Sequence, residues 1–474
     1  MKKMDNSSIR KTFYIVLIIA APIITGLVLG WIFTLDGTLG MYQWIPPFQY
    51  LIIAVAVLGV SAPLLALIGR GHRALRVIAV VLGIIGILLP LLLGWLHLSS
   101  SFQFASTTPP MLLISDGTGA NHVPNLALVF RTAQQTRNTL YYGENSLDQQ
   151  FAEPAPVRQH VLPLKDLKPG VHYQWRLNEG NTCDFTTPAG QSTNDTLYHF
   201  AVGSDSHLSA STATSAAPPG NPAILQQILT YVTQKNNSFQ SFFLTGDIVN
   251  MGSDFNDWQF ALNNISTFTC KVPVRPLMGN HDSYLNGTPQ YEAYLYPPEM
   301  ETQTGTRLYY RIDSGNVHFI ILNMLWGVDT FSPQERAWFV AQMESIPSGD
   351  WKIVMEHASV YASGSMVGGK QYYDPVDMVQ QVAPLFEKYK VNLVISGHDH
   401  HLEFLQKNGV SYAVIGGAGA PLDAVATNIS PASLWYLPQQ HGFLDVTVHS
   451  STIELLFRDP NGNELKSFTV NKNQ

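Results

Sequence analysis

The chain has 474 residues, enough for two or three domains, and is 46% hydrophobic but only 13% charged, sparse in charge for a soluble globular protein. The deficit sits at the N-terminal end. Up to Ser100 there are seven Lys or Arg against two acids, while the remainder holds 20 basic and 32 acidic residues. An acidic body argues against a nucleic-acid backbone as the main partner, because phosphate binding needs a basic surface. Two cysteines, Cys183 and Cys270, lack CxxC spacing and build neither a zinc finger nor a disulfide framework. Whether the two pair with each other stays open.

Three apolar runs, residues 12–35, 50–68 and 77–98, are each near the roughly 20 residues that cross a bilayer. They predict three transmembrane helices over residues 1–98. Lys2, Lys3, Arg10 and Lys11 precede the first run, and Arg70, His72, Arg73 and Arg76 separate the second from the third. By the positive-inside rule both basic segments are cytoplasmic. Three crossings then place everything after Ser99 outside the cytoplasm, as a multi-pass protein of the cell membrane with the lipid bilayer as a partner. Trp31, Tyr42, Trp44, Tyr50 and Trp95 fall at the outer interface on this reading. A cleaved signal peptide is the alternative for the first run, disfavoured by its length and by the two runs that follow. His97, at the end of a run, is the only intramembrane ionisable candidate, so the bundle reads as an anchor rather than a transporter.

Residues 99–108 form a polar linker closing at Pro109-Pro110. From 109 to 190, short strands at 112–114, 126–130, 139–142, 160–164, 173–177 and 184–187 alternate with Gly, Pro, Asn and Asp turns, the spacing of a small β-sandwich. Its His122, His160 and His172 have no partner at ligand spacing and read as surface or packing residues.

From 195 to 470, strands alternate with helical patterns, the signature of a layered α/β domain. Strand 197–203 ends in Asp205 and His207, and strand 242–244 runs into Gly246-Asp247. Strand 272–278 ends in Gly279-Asn280-His281-Asp282, strand 351–355 in Glu356-His357, and strand 391–396 in Gly397-His398-Asp399-His400. A hairpin at 308–312 and 317–322, and helices starting at Pro222, at 333–345 and at 375–389, fill the intervals. Strand ends are where such sheets place their sites. Carboxylate, amide and imidazole donors without thiolate suit Mn, Fe, Zn or a mixture. Asp247, isolated after a glycine, is suited to bridge two cations.

The series Asp205-x-His207, Gly246-Asp247, Gly279 to Asp282, His357 and His398-x-His400 resembles the calcineurin-like metallophosphoesterases. Its setting is closer to the purple acid phosphatase branch, and the turn at 167–173 resembles that of fibronectin type III-like domains, which precede the catalytic domain in that branch. The resemblance spans roughly 109 to 470. It implies that Asp205, His207, Asp247 and His400 hold one metal, and that Asp247 bridges to a second held by Asn280, His357 and His398. It implies that His281 faces the scissile phosphate, oriented by Asp282.

Two departures matter. Asn250 stands where purple acid phosphatases have a tyrosine ligand, and His207 stands where that branch usually has a non-ligand, so no tyrosinate–iron colour is expected. The segment 358–374 lacks the substrate histidines of plant members, leaving Tyr361, Lys370, Tyr372 or Tyr373 as candidates. His401 and His441 read as neighbours of the site rather than ligands. The function implied is a membrane-anchored extracytoplasmic dinuclear-metal hydrolase of phosphate esters. The alternatives are a phosphodiesterase or pyrophosphohydrolase on nucleotide or lipid head-group substrates, or a catalytically silent membrane sensor or scaffold.

Overall fold

The computed structural model describes residues 20, 22–27, 57, 73–101 and 104–472, apart from 119–120, 190–195, 211–217, 235–237, 285, 301–303, 365, 368–369 and 372. Two compact units are present, Met1–Gln103 and Phe104–Gln474.

The first unit corrects the expectation of three transmembrane helices, and with it that of a bilayer partner held through them. Among the described residues no helix is long and apolar enough to cross a membrane. The first two apolar runs lie mostly outside the described residues, and the third falls within helix α1, Arg73–Ser101. High mean hydropathy marks a segment that avoids water but does not say what covers it. Within this unit, Thr25 Oγ1 donates to the Gly86 carbonyl at 3.1 Å, a buried contact between two apolar segments.

The second unit begins with seven strands: β1 (Thr108–Thr118), β2 (Pro124–Thr136), β3 (Thr139–Gly143), β4 (Gln149–Ala152), β5 (Val157–Leu164), β6 (His172–Leu177) and β7 (Cys183–Thr186). β1, β2 and β5 pair in one sheet, and β4, β3, β6 and β7 form a second, in that order. Buried Leu128, Leu162, Tyr173, Trp175 and Phe185 belong to the shared core. His160 is buried with its Nδ1 2.8 Å from Glu153 Oε1.

The layered α/β part contains β8 (Thr196–Gly203), α2 (Pro222–Val232), β9 (Ser241–Leu244), α3 (Phe255–Thr269), β10 (Val274–Pro276), α4 (Asn280–Ser283) and α5 (Thr288–Leu295). It continues through β11 (Tyr310–Ser314), β12 (Val317–Ile321), α6 (Pro333–Ser345), β13 (Trp351–Met355), β14 (Met366–Val367), β15 (Lys370–Gln371), α7 (Val376–Gln381) and α8 (Ala383–Lys388). It closes with β16 (Leu393–Ser396), β17 (Leu402–Lys407), β18 (Val410–Ile415), β19 (Ser433–Leu437), β20 (Phe443–His449), β21 (Thr452–Arg458) and β22 (Glu464–Asn471). One half runs β10-β9-β8-β20-β21-β22 and the other β19-β17-β18-β16-β13-β12-β11. Phe200 and Phe243 of the first half meet Phe319 of the second with centroids 5.2 Å apart in each pair.

Strand β1 joins the halves. It pairs in parallel with β10 at Leu113–Val274 and with β11 at Gly117–Ile312, while running antiparallel to β2. β1, β2 and β5 therefore share a continuous sheet with the α/β layers, while β4, β3, β6 and β7 keep a sheet of their own. Helix 375–389, expected as one piece, is broken at Val382 into α7 and α8, because Pro384 has no N–H to continue the ladder.

Cys183 and Cys270 form a disulfide across 87 residues, tying β7 to the end of α3. Asp184 N donates to the Cys270 carbonyl at 3.0 Å beside it. Closing a loop of this length stabilises the fold by about 4 kcal/mol through the unfolded chain. Reduction is expected to lower the urea midpoint accordingly, and an unchanged midpoint would count against that contribution.

Glu335, in the first turn of α6, is buried and accepts from Asn323 N at 2.6 Å. Burial pushes its carboxyl up to about 8. The folded state thus holds a proton that the unfolded chain releases near pH 4.5, so this group's contribution to stability falls as pH rises from about 4.5 to about 8. Glu335→Gln should flatten that part of the stability–pH curve; an identical slope in variant and parent would refute it.

Candidate metal centre

The site forms where β8, β9, β10, β13 and β16 end. Asp205, His207, Asp247 and His398 all have positive φ, between 44° and 68°. That left-handed region is uncommon for residues with a Cβ and gathers at functional sites. All four follow a glycine or serine just past a strand end, where the chain turns sharply to bring the side chain inward. Gly279 and Gly397 serve by close approach. A Cβ on Gly279 would collide with the Asp247 amide and carboxylate, and one on Gly397 with Ser204 Oγ and the Asp205 carboxylate.

Around Asp205, His400 Nε2 lies 3.3 Å and His207 Nε2 3.9 Å from Oδ1. His207 Nε2 is also 3.2 Å from Asp247 Oδ2. The other oxygen of Asp247, Oδ1, lies 3.3 Å from His357 Nε2. Asn280 Oδ1 lies 2.8 Å from His357 Nε2 and 3.0 Å from His398 Nδ1. The expected ligands thus gather into two groups, Asp205, His207 and His400 on one side and Asn280, His357 and His398 on the other. Asp247 has one oxygen toward each. Asp205, His207 and His400, and separately Asp205, Asp247 and His357, place their donor atoms within 4.8 Å of one another.

The orientations test whether a cation fits. His357 Nδ1 donates to the Thr245 carbonyl at 2.9 Å and His400 Nδ1 to the Pro421 carbonyl at 2.7 Å. Carbonyls only accept, so in the neutral ring the lone pair is on Nε2, and Nε2 faces an oxygen acceptor in both cases. Asn280 Nδ2 donates to Tyr284 Oη at 3.1 Å, which turns the amide oxygen toward the two histidines. Asp205 Oδ1 and both ring nitrogens of His207 are buried without a hydrogen bond. Lone pairs converging on lone pairs in a buried site are what a cation resolves, and the carbonyl bonds behind the rings are the usual support for metal-ligating histidines. Both cysteines are in the disulfide, so the donor set is oxygen and nitrogen alone, fitting Fe, Mn or Zn.

The titration of these rings reflects the same crowding of oxygen acceptors, which draws a proton onto two of them. Burial alone would lower His357 and His400, but Asp247 lifts the first to about 9 and Asp205 lifts the second to about 10. Burial would raise Asp205 and Asp247, yet the surrounding imidazoles hold both below the usual carboxylate range. Burial, helped by His207, pushes His281 down to about 3.

The His281 ring packs 4.1 Å from His207, centroid to centroid. Its orientation differs from that expected. Nδ1 donates to the Asn250 carbonyl at 2.9 Å, not to Asp282. The Asp282 carboxylate instead accepts from Ile248 N at 2.9 Å, Val249 N at 3.0 Å and Gly279 N at 2.8 Å, holding the Asp247 loop and the Asn280 loop together. Asn250, which takes the place of a tyrosine ligand, thus acts through its main chain, and sequence carries no signal for a backbone acceptor. Tyr284 was also missed; it follows Asn280 by four residues, a spacing that shares one face of a helical turn.

Of the substrate candidates, Tyr361 is buried against Tyr412 at 5.0 Å. Tyr372 lies outside the described residues, Lys370 begins β15, and Tyr373 is exposed. His401 approaches Glu403 Oε2 at 3.1 Å and His441 Nδ1 donates to the Gly417 carbonyl at 3.1 Å.

Residues 198–402, which carry all seven expected ligands, match the calcineurin-like phosphoesterase family. The chain is 25% identical over 306 residues to purple acid phosphatase 1 of Ipomoea batatas, covering 60% of this chain and 62% of that protein. It is 21% identical over 275 residues to a nucleotide pyrophosphatase/phosphodiesterase of Hordeum vulgare, covering 50% of this chain and 73% of that one. The purple acid phosphatase PPD1 from yellow lupin seeds shares the fold at a TM-score of 0.61 and 17% identity, over 77% of this chain and 75% of its own. The match to the Ipomoea enzyme spans less than two thirds of that protein's length.

A bound cation stabilises the folded chain by mass action, by roughly 4 kcal/mol at a thousandfold excess over Kd. Chelation is expected to lower the thermal midpoint, and Mn, Fe or Zn to restore it. A midpoint indifferent to chelator and metal would mean the centre holds none.

Proposed function

We propose that this chain hydrolyses phosphate esters at a two-metal centre, with Asp205, His207, Asp247 and His400 holding one cation and Asp247, Asn280, His357 and His398 the other. The observation that carries the reading is the pair of histidines, His357 and His400, pinned by carbonyls so that Nε2 faces oxygen acceptors on either side of Asp247. Two cations there would supply a water of lowered pKa as nucleophile and a charge clamp on the phosphoryl oxygens.

His281 is the side chain left for proton handling. Its Nδ1–H is committed to Asn250, so Nε2 is the atom that addresses the ester. Burial keeps the empty ring neutral; a phosphate anion alongside favours the imidazolium. The ring would take up its proton with substrate and pass it to the leaving alkoxide. Asp282 serves this step indirectly, by bracing the two loops.

The barley relative's name supports a second reading, a diester or pyrophosphate bond as the target of the same centre. We further infer a fibronectin type III-like sandwich over 109–190, supported by the three-plus-four strand arrangement, ahead of a catalytic domain over 195–470. The disulfide supports an oxidising, extracytoplasmic setting for this body. Protease added to intact cells should cut it; complete protection would overturn that placement.

On generic aryl phosphates, His281→Ala should lower kcat by about 10²–10⁴-fold, and Asp247→Asn should remove activity together with bound metal. Unchanged turnover in either purified variant would sink the corresponding role.

A further inference from the structure

Beside the proton-handling histidine the site has an aromatic wall that the hydrolytic reading does not use. The Tyr284 ring lies 4.3 Å from His281, and Trp326 stacks on Tyr284 at 6.0 Å with planes 21° apart. Trp326 also meets the edge of His398 at 6.1 Å. Tyr284 is buried, whereas Trp326 is partly exposed. Its indole nitrogen is buried, so the surface it offers to solvent is hydrocarbon.

The main chain that carries the indole is also held in place. Trp326 N donates to Thr330 Oγ1 at 3.2 Å, and Ala358 N, next to His357, donates to the Met324 carbonyl at 2.9 Å. Gly327 turns the chain at φ 65°, and a Cβ there would press on Met378. A platform fixed before the ligand arrives spends little entropy on binding it.

Resting on the phosphoesterase reading, we propose that Trp326 is a stacking platform for the leaving group, which selects phosphoesters whose alcohol carries a flat aromatic ring. His281 addresses the leaving oxygen, Tyr284 packs on its ring, and the part-exposed Trp326 packs on Tyr284 and against His398. The organic part of an ester placed for protonation by His281 therefore runs along the Trp326 face. Indole stacks a base or an aryl ring through its π-face and gains little from an open-chain polyol.

The test uses the metal-loaded full-length chain and two matched pairs of esters. Adenosine 5′-monophosphate and ribose 5-phosphate share a leaving alkoxide and differ in the base; benzyl phosphate and cyclohexylmethyl phosphate differ in the flatness of the ring. The ring-bearing member should have the higher kcat/KM, by roughly five- to tenfold, carried mainly by KM. Preference in both pairs identifies any flat ring as the recognised group, and preference in the first alone identifies a nucleoside. Trp326→Leu should bring the ratio close to one, and Trp326→Phe should keep most of it. In the parent chain, needing no variant, adenosine should compete with ribose 5-phosphate while ribose does not.

Equal rates within both pairs, or a ratio that survives Trp326→Leu, would overturn the platform and leave the hydrolase standing. Absence of turnover on all four esters would remove the hydrolase reading and the platform with it.

Discussion

Two oxygens on one carboxylate organise this molecule. Asp247 presents Oδ2 to His207 and Oδ1 to His357, and Oδ1 also accepts from His281 N at 2.8 Å. A buried carboxylate so placed is tolerable only with positive charge on both sides. The rest of the centre follows from that demand. The left-handed turns at Asp205, His207, Asp247 and His398 crowd polar groups together, and the bracing by Asp282 keeps them from springing apart. Strain of this kind, of order 1–3 kcal/mol per residue, persists only where surrounding structure over-determines it. Here the support is two packed half-sheets with their phenylalanine core.

The same logic explains why the histidines do not act alike. His357 and His400 have a carbonyl behind Nδ1 and a carboxylate before Nε2, which lifts their basicity. His281 has the carbonyl and Asp247 nearby, but burial and a neighbouring imidazole outweigh them, which lowers its basicity. Similar side chains a few ångströms apart are thereby split into cation-facing groups and one group free to handle a proton.

Much of this was legible from residue order. The ends of five strands carry the seven proposed ligands, and the β13 and α6 boundaries follow hydrophobic period and caps. What escaped was whatever depends on the main chain or on partners far along it. Nothing in the residue at 250 announces that its carbonyl, and not Asp282, orients His281. Pro384 was visible inside the 375–389 pattern, yet the apolar period on both sides hid the break. The pairing of β1 with β10 and β11 joins residues some 160 and 195 positions apart, beyond any local pattern. The N-terminal runs show the opposite failing: hydropathy alone suggested spans, and the described helix does not meet that requirement.

The position of β1 has a consequence for how this protein can change. A sandwich joined to its neighbour by a loop can be exchanged, duplicated or discarded as a cassette. Here the first strand of the sandwich fills the slot between β10 and β11. Removing it would leave two naked strand edges in the middle of the α/β part, open to pairing with any passing chain. The two regions are therefore bound to be inherited and synthesised together, however distinct their sequence patterns look.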